Sequence, residues 1–367
     1  MVQGLNPAYN KDNVAVFAST DDNYAAYCGV WLKSIADNSN EHKNYDIIIL
    51  ENGLSDICKE KLLKTIEKRP NMSLRFYYVG NLVASKKFLI GGGHFTVAAF
   101  YRLFVRQIFK SYSKVLYLDI DTIVLDDLSK LYEENIEGYV AGAIKDYGVY
   151  AKLKSNKYEK IDYFTSRLGL KDIFNTYFQS AVMLFNIKMI SNELTDNMLK
   201  AAQKEKYIYV DQDILNIFLQ GKIKFLNSKW NVNTNEGTKK GLMPLLPNGY
   251  YEKWLADRAN PSLIHYSSFL KPWKAPGSDL AYFWWQYART SLFYEEIIYK
   301  NLHANFDAGK YNSLIKDMFD YQKNKKKCAK YRILYKITFG KMRRKYKEKY
   351  NALKQKEKNI KIRIKDL

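Results

Sequence analysis

The chain has 367 residues, of which 47% are hydrophobic, and its formal net charge is +21 at pH 7. This apolar content is sufficient for one large core with a small appendage, and no window approaches the roughly 18 uninterrupted apolar residues that a membrane span needs. Residues 1–5 have neither the charge nor the apolar run of a signal peptide, so we expect a cytoplasmic protein.

The basic charge is concentrated at the carboxyl end. Residues 323–367 contain 19 Lys or Arg and three acidic residues, a local net charge of +16, whereas the preceding 322 residues hold 40 basic and 35 acidic groups. Without the tail the body is therefore nearly balanced. We expect no nucleic-acid partner and interpret the tail as a separate basic element.

Apolar, β-branched runs alternate with helical patterns along the chain. Strands alternating with helices of this length predict an α/β fold with a mostly parallel sheet covered on both faces. Ligands of such sheets bind at the carboxyl ends of the strands, and three glycines at 91–93 predict a mobile stretch. In chain order the pattern predicts strand 13–19, helix 24–36, strand 45–50, helix 56–68, strand 74–79, helix 96–109, strands 114–118, 139–144 and 180–186, and helices 192–204 and 211–219.

Two carboxylates follow the strand predicted at 114–118. Asp119 and Asp121 are two residues apart, and side chains at this spacing on a strand point the same way. Such a pair is costly beside an apolar strand unless a cation compensates it, and Mn²⁺ or Mg²⁺ prefers oxygen ligands. A solvated turn explains this short motif equally well when it is considered alone. Asp127, a few residues later, is expected to cap a turn at 128–132.

Several segments around this pair form a recognisable series. They are 17–27 (FASTDDNYAAY), 100–103 (FYRL), 115–121 (VLYLDID), 178–186 (FQSAVMLFN), 211–215 (DQDIL) and 265–273 (HYSSFLKPW). On these segments the chain resembles glycosyltransferase family 8, which includes bacterial lipooligosaccharide galactosyltransferases, lipopolysaccharide glucosyltransferases and glycogenin. Each segment is weak alone, but together and in the family's order they are specific.

The resemblance implies a nucleotide-sugar-binding, Rossmann-like domain of the GT-A type, with a mixed, mostly parallel sheet, that uses a UDP-sugar donor. It implies that Tyr24 stacks on the uracil and that an Mn²⁺ or Mg²⁺ ion lies at the diphosphate. The implied metal ligands are Asp119, Asp121 and His265, and the implied donor contacts are Asp21, Asn23, Tyr24, Arg102, Asp119, Ile120, Gln179, Ser268 and Lys271. Catalytic roles are implied for Asp146, Asp211 and Gln212.

Ordinary structural roles stay open for several of these residues. Tyr24 is also interpretable as a core aromatic at a helix start, Arg102 as a helix-surface ion-pairing residue, and Asp146 as a loop cap. A lone histidine is usually structural, yet His265 follows an apolar run and precedes Lys271 with no acidic residue between them, which suits a metal-bound diphosphate. The chain also departs from its relatives in two places. Relatives commonly carry Gly at or near Ser267-Ser268, and many carry Asn, a small residue and Gly where this chain has Gln179-Ser180-Ala181.

The resemblance implies retention of the anomeric configuration, and Gln212 lies where a nucleophile is expected. Because an amide is a poor nucleophile, we favour front-face attack by the acceptor hydroxyl, with a leaving phosphate oxygen as its base, over a covalent intermediate. The expected reaction moves galactose or glucose onto a saccharide acceptor in lipopolysaccharide, capsule or other surface-glycan synthesis. The alternatives are a haloacid-dehalogenase-like phosphatase, which also ends a strand in DxD, and a basic nucleic-acid-binding protein.

We expect a catalytic domain at 1–280, a helical extension at 281–322 and a basic membrane-associating tail at 323–367. Tyr331, Leu334, Tyr335 and Phe339 fall at helical spacings among cations, which predicts an amphipathic stripe that binds an anionic membrane surface. The enzyme is then expected to lie peripherally on the inner face of the cell membrane, near an oligosaccharide or lipid-linked acceptor. A solvated basic helix is the alternative, and residues 345–365 are expected to stay disordered until bound.

Overall fold

The computed structural model describes residues 4–90, 96–155, 159–235, 241–267, 269–305 and 308–365, so the predicted mobile glycines at 91–93 lie outside the described residues. The strands are β1 (Asn13–Thr20), β2 (Asn44–Glu51), β3 (Met72–Tyr78), β4 (Lys114–Leu118), β5 (Thr122–Val124), β6 (Ala141–Lys145), β7 (Phe178–Asn186), β8 (Ile223–Phe225), β9 (Val232–Asn233) and β10 (Leu263–His265).

The α-helices are α1 (Ala25–Asp37), α2 (Asp56–Ile66), α3 (Gly80–Val83), α4 (Val105–Ile108), α5 (Leu128–Tyr132), α6 (Tyr147–Lys154), α7 (Glu159–Asp162), α8 (Ile173–Thr176), α9 (Asn192–Lys204), α10 (Val210–Leu219), α11 (Tyr250–Ala259), α12 (Ala281–Ala288), α13 (Tyr294–Asn305), α14 (Ala308–Ile337) and α15 (Gly340–Lys365). Short 3₁₀ helices cover Val97–Phe104, Ile187–Met189, Ser228–Asn231 and Met243–Leu245, and a π-helical turn covers Tyr163–Arg167. Of the helices described, none combines the length and the hydropathy that a bilayer crossing requires.

Seven strands form the central sheet in the order β3-β2-β1-β4-β7-β6-β8. The first four strands run parallel, β7 runs antiparallel to both β4 and β6, and β8 is parallel to β6. The predicted fold class, α/β with a mixed and mostly parallel sheet, is confirmed. A second sheet, in the order β5-β10-β9, lies beyond the end of β4.

Both faces of the central sheet are buried, as the apolar runs predicted. Because side chains alternate along a strand, Phe17 of β1 joins one core cluster while its neighbour Val16 joins the other. Both side chains are fully buried. The carboxyl ends of β1 and β4, where polar residues begin, therefore mark the open edge of a covered sheet, which is where α/β folds bind ligands.

The helix predicted at 96–109 is present over residues 97–108, but most of it is a 3₁₀ helix. Residues Val97–Phe104 wind as a 3₁₀ helix, and the α-helical turn α4 follows. Runs of 3₁₀ helix longer than three or four residues are uncommon. Here Arg102 is buried and bonded to groups on two other elements, so tertiary contacts outweigh the local preference for an α-helix. The predicted cap is confirmed, since the Asp127 carboxylate accepts from the backbone N–H of Ser129 at the start of α5.

The described chain divides into two compact units, Met1–Ile297 and Ile298–Leu367. The first unit includes α12, so the predicted boundary at 280 falls before a helix that packs in the main core. Trp284 and Phe293 are fully buried there, and a Cβ added at Gly29 on α1 would lie 2.2 Å from the Phe293 ring. That close approach requires glycine at this position.

In the second unit α14 and α15 pack against each other. The rings of Tyr331 and Tyr346 stack at 6.0 Å, and those of Tyr335 and Tyr350 at 6.5 Å. The expectation that residues 345–365 stay disordered until bound is wrong, because pairing with α14 buries part of the surface that a lone basic helix would expose. The predicted stripe is also divided, since Tyr331 and Tyr335 pack between the helices while Phe339 is exposed.

Candidate active site

Asp119 is fixed directly after β4 by contacts with two neighbouring elements. Its backbone N–H donates to the carbonyl oxygen of Ala181 on β7 at 2.9 Å. Its Oδ1 accepts from the hydroxyl of Tyr117 at 2.5 Å and from Arg102 Nη2 at 2.8 Å. One carboxylate oxygen is thus held by donors within the protein, and Asp119 also lines the cavity described below.

Arg102 is a buried cation that links two carboxylates. Its Nη1 donates to the carbonyl oxygen of Ser180 at 2.5 Å, and its Nε lies 3.1 Å from Oδ2 of Asp211. The guanidinium carbon also lies 3.8 Å from the centroid of the Tyr117 ring, a cation–π arrangement. Burial by itself lowers the pKa of Arg102, but Asp119 and Asp211 raise it above its ordinary value. Arg102 therefore lies in the site and not on a helix surface.

Strand pairing brings His265 to Asp121 across a long sequence separation. His265 ends β10, which pairs with β5 so that His265 lies opposite Thr122. The backbone N–H of Tyr266 donates to the carbonyl oxygen of Asp121 at 3.0 Å. As a result, His265 Nε2 lies 3.3 Å from Oδ1 of Asp121.

The other ring nitrogen of His265 is held by two amide oxygens. Nδ1 lies 3.1 Å from Oε1 of Gln179 and 3.1 Å from Oδ1 of Asn231. The Asn231 amide nitrogen in turn donates to Gln179 Oε1. This hydrogen bond agrees with the orientations in which both amide oxygens face Nδ1. Because both of these neighbours are acceptors, Nδ1 donates to them, and Nε2 is the ring nitrogen that faces Asp121.

Asp119, Asp121 and His265 together form a cluster suited to a metal ion. One ligand atom from each lies within 4.8 Å of the others. Asp121 Oδ1 is buried and has no hydrogen-bond partner among the described residues, and it faces Nε2 of His265. A cation bound between a buried carboxylate oxygen and an imidazole nitrogen satisfies both atoms. Two carboxylates and one imidazole are suitable ligands for Mn²⁺.

Lys271 lies on the other side of Asp121. Its ammonium donates to Oδ2 of Asp121 at 2.5 Å and to the carbonyl oxygen of Tyr266 at 2.5 Å. Burial by itself raises the pKa of the Asp121 carboxyl, but Lys271 and His265 lower it well below its usual range. Asp121 is therefore ionised throughout the physiological pH range, as a metal ligand must be.

Gln212 is held at both ends of its amide. Its Nε2 donates to Asp146 Oδ2 at 2.8 Å and to the Tyr177 hydroxyl at 3.0 Å, and its Oε1 accepts from the backbone N–H of Ser180 at 3.1 Å. Asp146 Oδ1 accepts from the backbone N–H of Val149 and so caps α6. The expected loop-cap role of Asp146 and its contact with Gln212 thus coexist.

The start of α10 is held in an unusual conformation. Val210 has φ of 48°, which a β-branched residue adopts only under constraint. The following residue, Asp211, is buried, and burial together with the nearby Asp119 raises its pKa to about 6, although Arg102 opposes the shift. Asp213 accepts from the hydroxyls of Tyr163 and Tyr177, which anchors the helix start under Gln212.

At the start of α1, Asp21 and Tyr24 form the other end of the site. Asp21 Oδ1 accepts from the backbone N–H of Tyr24 at 3.1 Å. The Tyr24 ring is half-buried and packs edge-on against Tyr27 and Trp273. Tyr24 is thus a partly exposed aromatic whose orientation is fixed by its neighbours.

These residues surround one cavity of about 510 Å³. Asn23 is exposed and is not among its lining residues, and Ser268 lies outside the described residues. The predicted site residues that line the cavity are Asp21, Tyr24, Arg102, Asp119, Ile120, Asp121, Asp146, Gln179, Asp211, Gln212, His265 and Lys271.

Sequence reasoning missed several residues around the cavity. Asn231 and Asn233 support Gln179 from β9 and the turn before it, and Tyr177 supports Gln212. Asn231 and Asn233 have the same alternate spacing as the two aspartates, which is a signal that was available in the sequence. Lys152 and Tyr209 also line the cavity, but nothing in their local sequence distinguishes them from ordinary surface residues.

The chain matches the family described as "Glycosyl transferase family 8" over residues 15–277. The chain therefore belongs to this family, and the resemblance inferred from the sequence is confirmed. General stress protein A of Bacillus subtilis is 26% identical over 72% of this chain and 89% of that protein. A lipopolysaccharide 1,2-glucosyltransferase of Escherichia coli K12 is 28% identical over 69% of this chain and 70% of its own length.

Solved structures show the same fold. The bifunctional glycosyltransferase WbbM has a TM-score of 0.73 and 30% identity, with 82% of this chain and 53% of that one covered. The chain thus spans about half the length of WbbM. The galactosyltransferase LgtC, solved with donor and acceptor sugar analogues, has a TM-score of 0.58 and 23% identity over 76% of this chain. Nothing in these similarities supports a dehalogenase-like phosphatase or a nucleic-acid-binding protein.

Proposed function

We propose that this glycosyltransferase moves galactose or glucose from a UDP-sugar to a saccharide acceptor in surface-glycan synthesis, with retention of the anomeric configuration. The observation that carries the proposal is the cluster of Asp119, Asp121 and His265, which opens onto a cavity of about 510 Å³. A lipopolysaccharide glucosyltransferase and a lipopolysaccharide galactosyltransferase among the relatives support this class of product.

The donor is proposed to lie along the cavity from α1 to α10. Tyr24 offers a ring face to the uracil, with Asp21 at its side, and an aromatic face on a base contributes about 1–3 kcal/mol. The diphosphate then lies at Asp119, Asp121 and His265. The hexose extends towards Arg102, Gln179, Asp146 and Asp211, a polar set suited to sugar hydroxyls.

Asp119, Asp121 and His265 are proposed to hold Mn²⁺ or Mg²⁺. Bound there, such an ion supplies Lewis acidity at the diphosphate. Lys271 supplies a further positive charge at the same place, as a point charge suited to phosphate oxygens. Because negative charge develops on the departing UDP, preorganised cations at this position contribute a large part of the catalysis.

Gln212 and Asp211 are proposed to position the sugar and not to attack it. The Gln212 amide is held by hydrogen bonds at both ends, which orients it, and an amide is a poor nucleophile. We therefore favour front-face attack by the acceptor hydroxyl, with an oxygen of the leaving phosphate as the base. The carboxylates of Asp146 and Asp211 then orient the ring.

The second unit is proposed to hold the enzyme on the anionic inner face of the cell membrane, near a lipid-linked or oligosaccharide acceptor. Between residues 321 and 347 the chain carries 12 Lys or Arg and no acidic residue, and each cation near an anionic surface contributes about 1 kcal/mol. Exposed apolar side chains cluster where α14 meets α15: Ile333, Ile337, Phe339 and Met342. This arrangement favours insertion of the helix–helix turn over a helix that lies flat on the membrane.

UDP release tests the proposed reaction. The purified full chain is incubated with Mn²⁺ and a panel of UDP-sugars without acceptor, so that slow hydrolysis is measured. We expect release from UDP-galactose or UDP-glucose, its loss in excess chelator, and its loss in Asp121→Asn with the fold retained by thermal melting. Release from none of the sugars, or full activity of the variant or of the chelated enzyme, contradicts the proposal.

A further inference from the structure

A lysine faces the cavity from α6. Lys152 lies four residues after Gly148, and residues at this spacing share one face of a helix. Both line the cavity. Lys154 is the natural comparison, because it lies on the same helix but is exposed, and its ammonium is 5.5 Å from the centroid of the Phe174 ring, outside the cavity lining.

The other cations of the cavity are paired with carboxylates. Arg102 lies beside Asp119 and Asp211, and Lys271 donates to Asp121. Lys152 differs: within the described ranges, no carboxylate oxygen lies within the 4.0 Å that defines an ion pair. Its ammonium instead lies 5.3 Å from the centroid of the Tyr209 ring. The cavity therefore contains a cation with an aromatic partner and no counterion of its own.

With the donor placed as proposed above, Lys152 lies on the side of the cavity that is left for the acceptor. The residues assigned to the nucleotide, the diphosphate and the hexose leave part of the lining unassigned. Lys152, Ile208 and Tyr209 belong to that part. Ile208 is 47% exposed, so this part of the lining is open to solvent. A second substrate that reaches the hexose from this side passes Lys152.

We propose that Lys152 and Tyr209 form an acceptor subsite that selects saccharides carrying an anionic group, a phosphate or a carboxylate. The inference rests on the proposed glycosyl transfer and names its acceptor class. An ammonium is a point charge that suits phosphate and carboxylate oxygens. The Tyr209 ring, half-buried and stacked on Phe164, is a rigid wall of the kind that lines saccharide and other small-molecule sites.

The test uses matched acceptors: one neutral disaccharide and two derivatives of it, a phosphate monoester and a uronic acid. UDP release without acceptor is measured first in the wild type, so that failure of the proposed reaction is detected separately. We expect kcat/KM of the wild type to favour the anionic acceptors by about tenfold or more, as one charge-assisted contact allows. In Lys152→Gln this ratio falls close to one, mainly through a higher KM for the anionic acceptors.

Lys154→Gln is the matched control, and it keeps both the rates and the ratio of the wild type. The inference is overturned if the wild type releases UDP but does not discriminate between the acceptors. It is also overturned if Lys152→Gln keeps the wild-type ratio, or if Lys154→Gln loses it to the same extent. A preference for the phosphate over the uronic acid, lost in Lys152→Gln, identifies phosphate as the group recognised.

Discussion

His265 shows how single hydrogen bonds prepare a residue for its chemistry. The amide oxygens of Gln179 and Asn231 lie 3.1 Å from Nδ1, and Nε2 faces Asp121. The two amides therefore orient the ring so that Nε2 is the nitrogen available to a metal ion.

We predict that His265→Ala weakens the apparent affinity for Mn²⁺ by at least about tenfold, since even outer partners of metal ligands contribute 10–100-fold. The UDP-sugar still binds at saturating metal. Activity is titrated with Mn²⁺, and His42→Ala, at an exposed position, serves as the control. A loss of thermal stability with an unchanged metal dependence means that His265 is structural.

Titration of Asp211 is expected to change stability and activity with pH in opposite directions. Its pKa in the folded protein is about 6, above the ordinary value of 3.8. The folded state therefore binds this proton more tightly than the unfolded state. The stability contributed by Asp211 is fully present below about pH 4 and is lost as the pH rises through about 6.

We predict that activity behaves in the opposite way, because protonated Asp211 no longer pairs with Arg102. Turnover falls as the pH drops through about 6, while stability in excess chelator rises. Asp211→Asn removes the stability change over this pH range, which is on the order of 3 kcal/mol, and is less active at pH 7. Parallel pH profiles of stability in the wild type and the variant contradict this assignment.

The turn between α14 and α15 combines exposed apolar side chains with cations on the two flanking helices. Phe339 is 81% exposed and Ile337 64% exposed, and the cations lie along the helices on either side. If this turn enters an anionic membrane, its apolar residues contribute independently of the charges.

We predict that Phe339→Ser with Ile337→Ser weakens binding to anionic vesicles by at least about tenfold, because burial of one such side chain contributes about 1.5–3 kcal/mol. Binding is measured by sedimentation at low and high salt. Phe319→Ser is the control, because Phe319 is 70% exposed on α14 but lies away from the turn. Equal losses in both variants exclude insertion of the turn, and binding that ignores salt excludes the contribution of the cations.

At the scale of the molecule, the first unit extends to Ile297, and Phe293 near its end packs against α1. Phe293 fills the space left by Gly29, and its ring has no exposed surface. The residues after 280 therefore contribute to the stability of the catalytic unit.

We predict that Phe293→Ala lowers the free energy of unfolding of this unit by about 3–5 kcal/mol, the usual loss for a buried phenylalanine. Chemical denaturation followed by tryptophan fluorescence measures the change. Tyr282→Ala on α12 is the comparison, since Tyr282 is 64% exposed, and it is expected to unfold like the wild type. Equal stability of the two variants places Phe293 outside the core.

The sequence determined by itself those features that depend on neighbouring residues. Alternating apolar runs predicted the strands that became β1, β2 and β4, because burial on two faces requires such runs. The spacing of Asp119 and Asp121 predicted two carboxylates on one side. Asp127 was predicted as a cap from its place before an apolar turn. The family resemblance added Gln212, which no local pattern distinguishes, and the metal-ligand role of His265, for which its place between an apolar run and Lys271 was the local signal.

Only the tertiary structure decided which distant residues meet. His265 reaches Asp121 through the register of β10 with β5, and a one-residue slip in such a pairing turns the side chain to the other face. Arg102 lies in the site because folding buries it between two carboxylates, and most of the helix predicted around it is a 3₁₀ helix. In the tail, Tyr331 and Tyr346 pair across two helices. Local sequence carries no information about such pairings, because their free energy arises only when both partners are already in place.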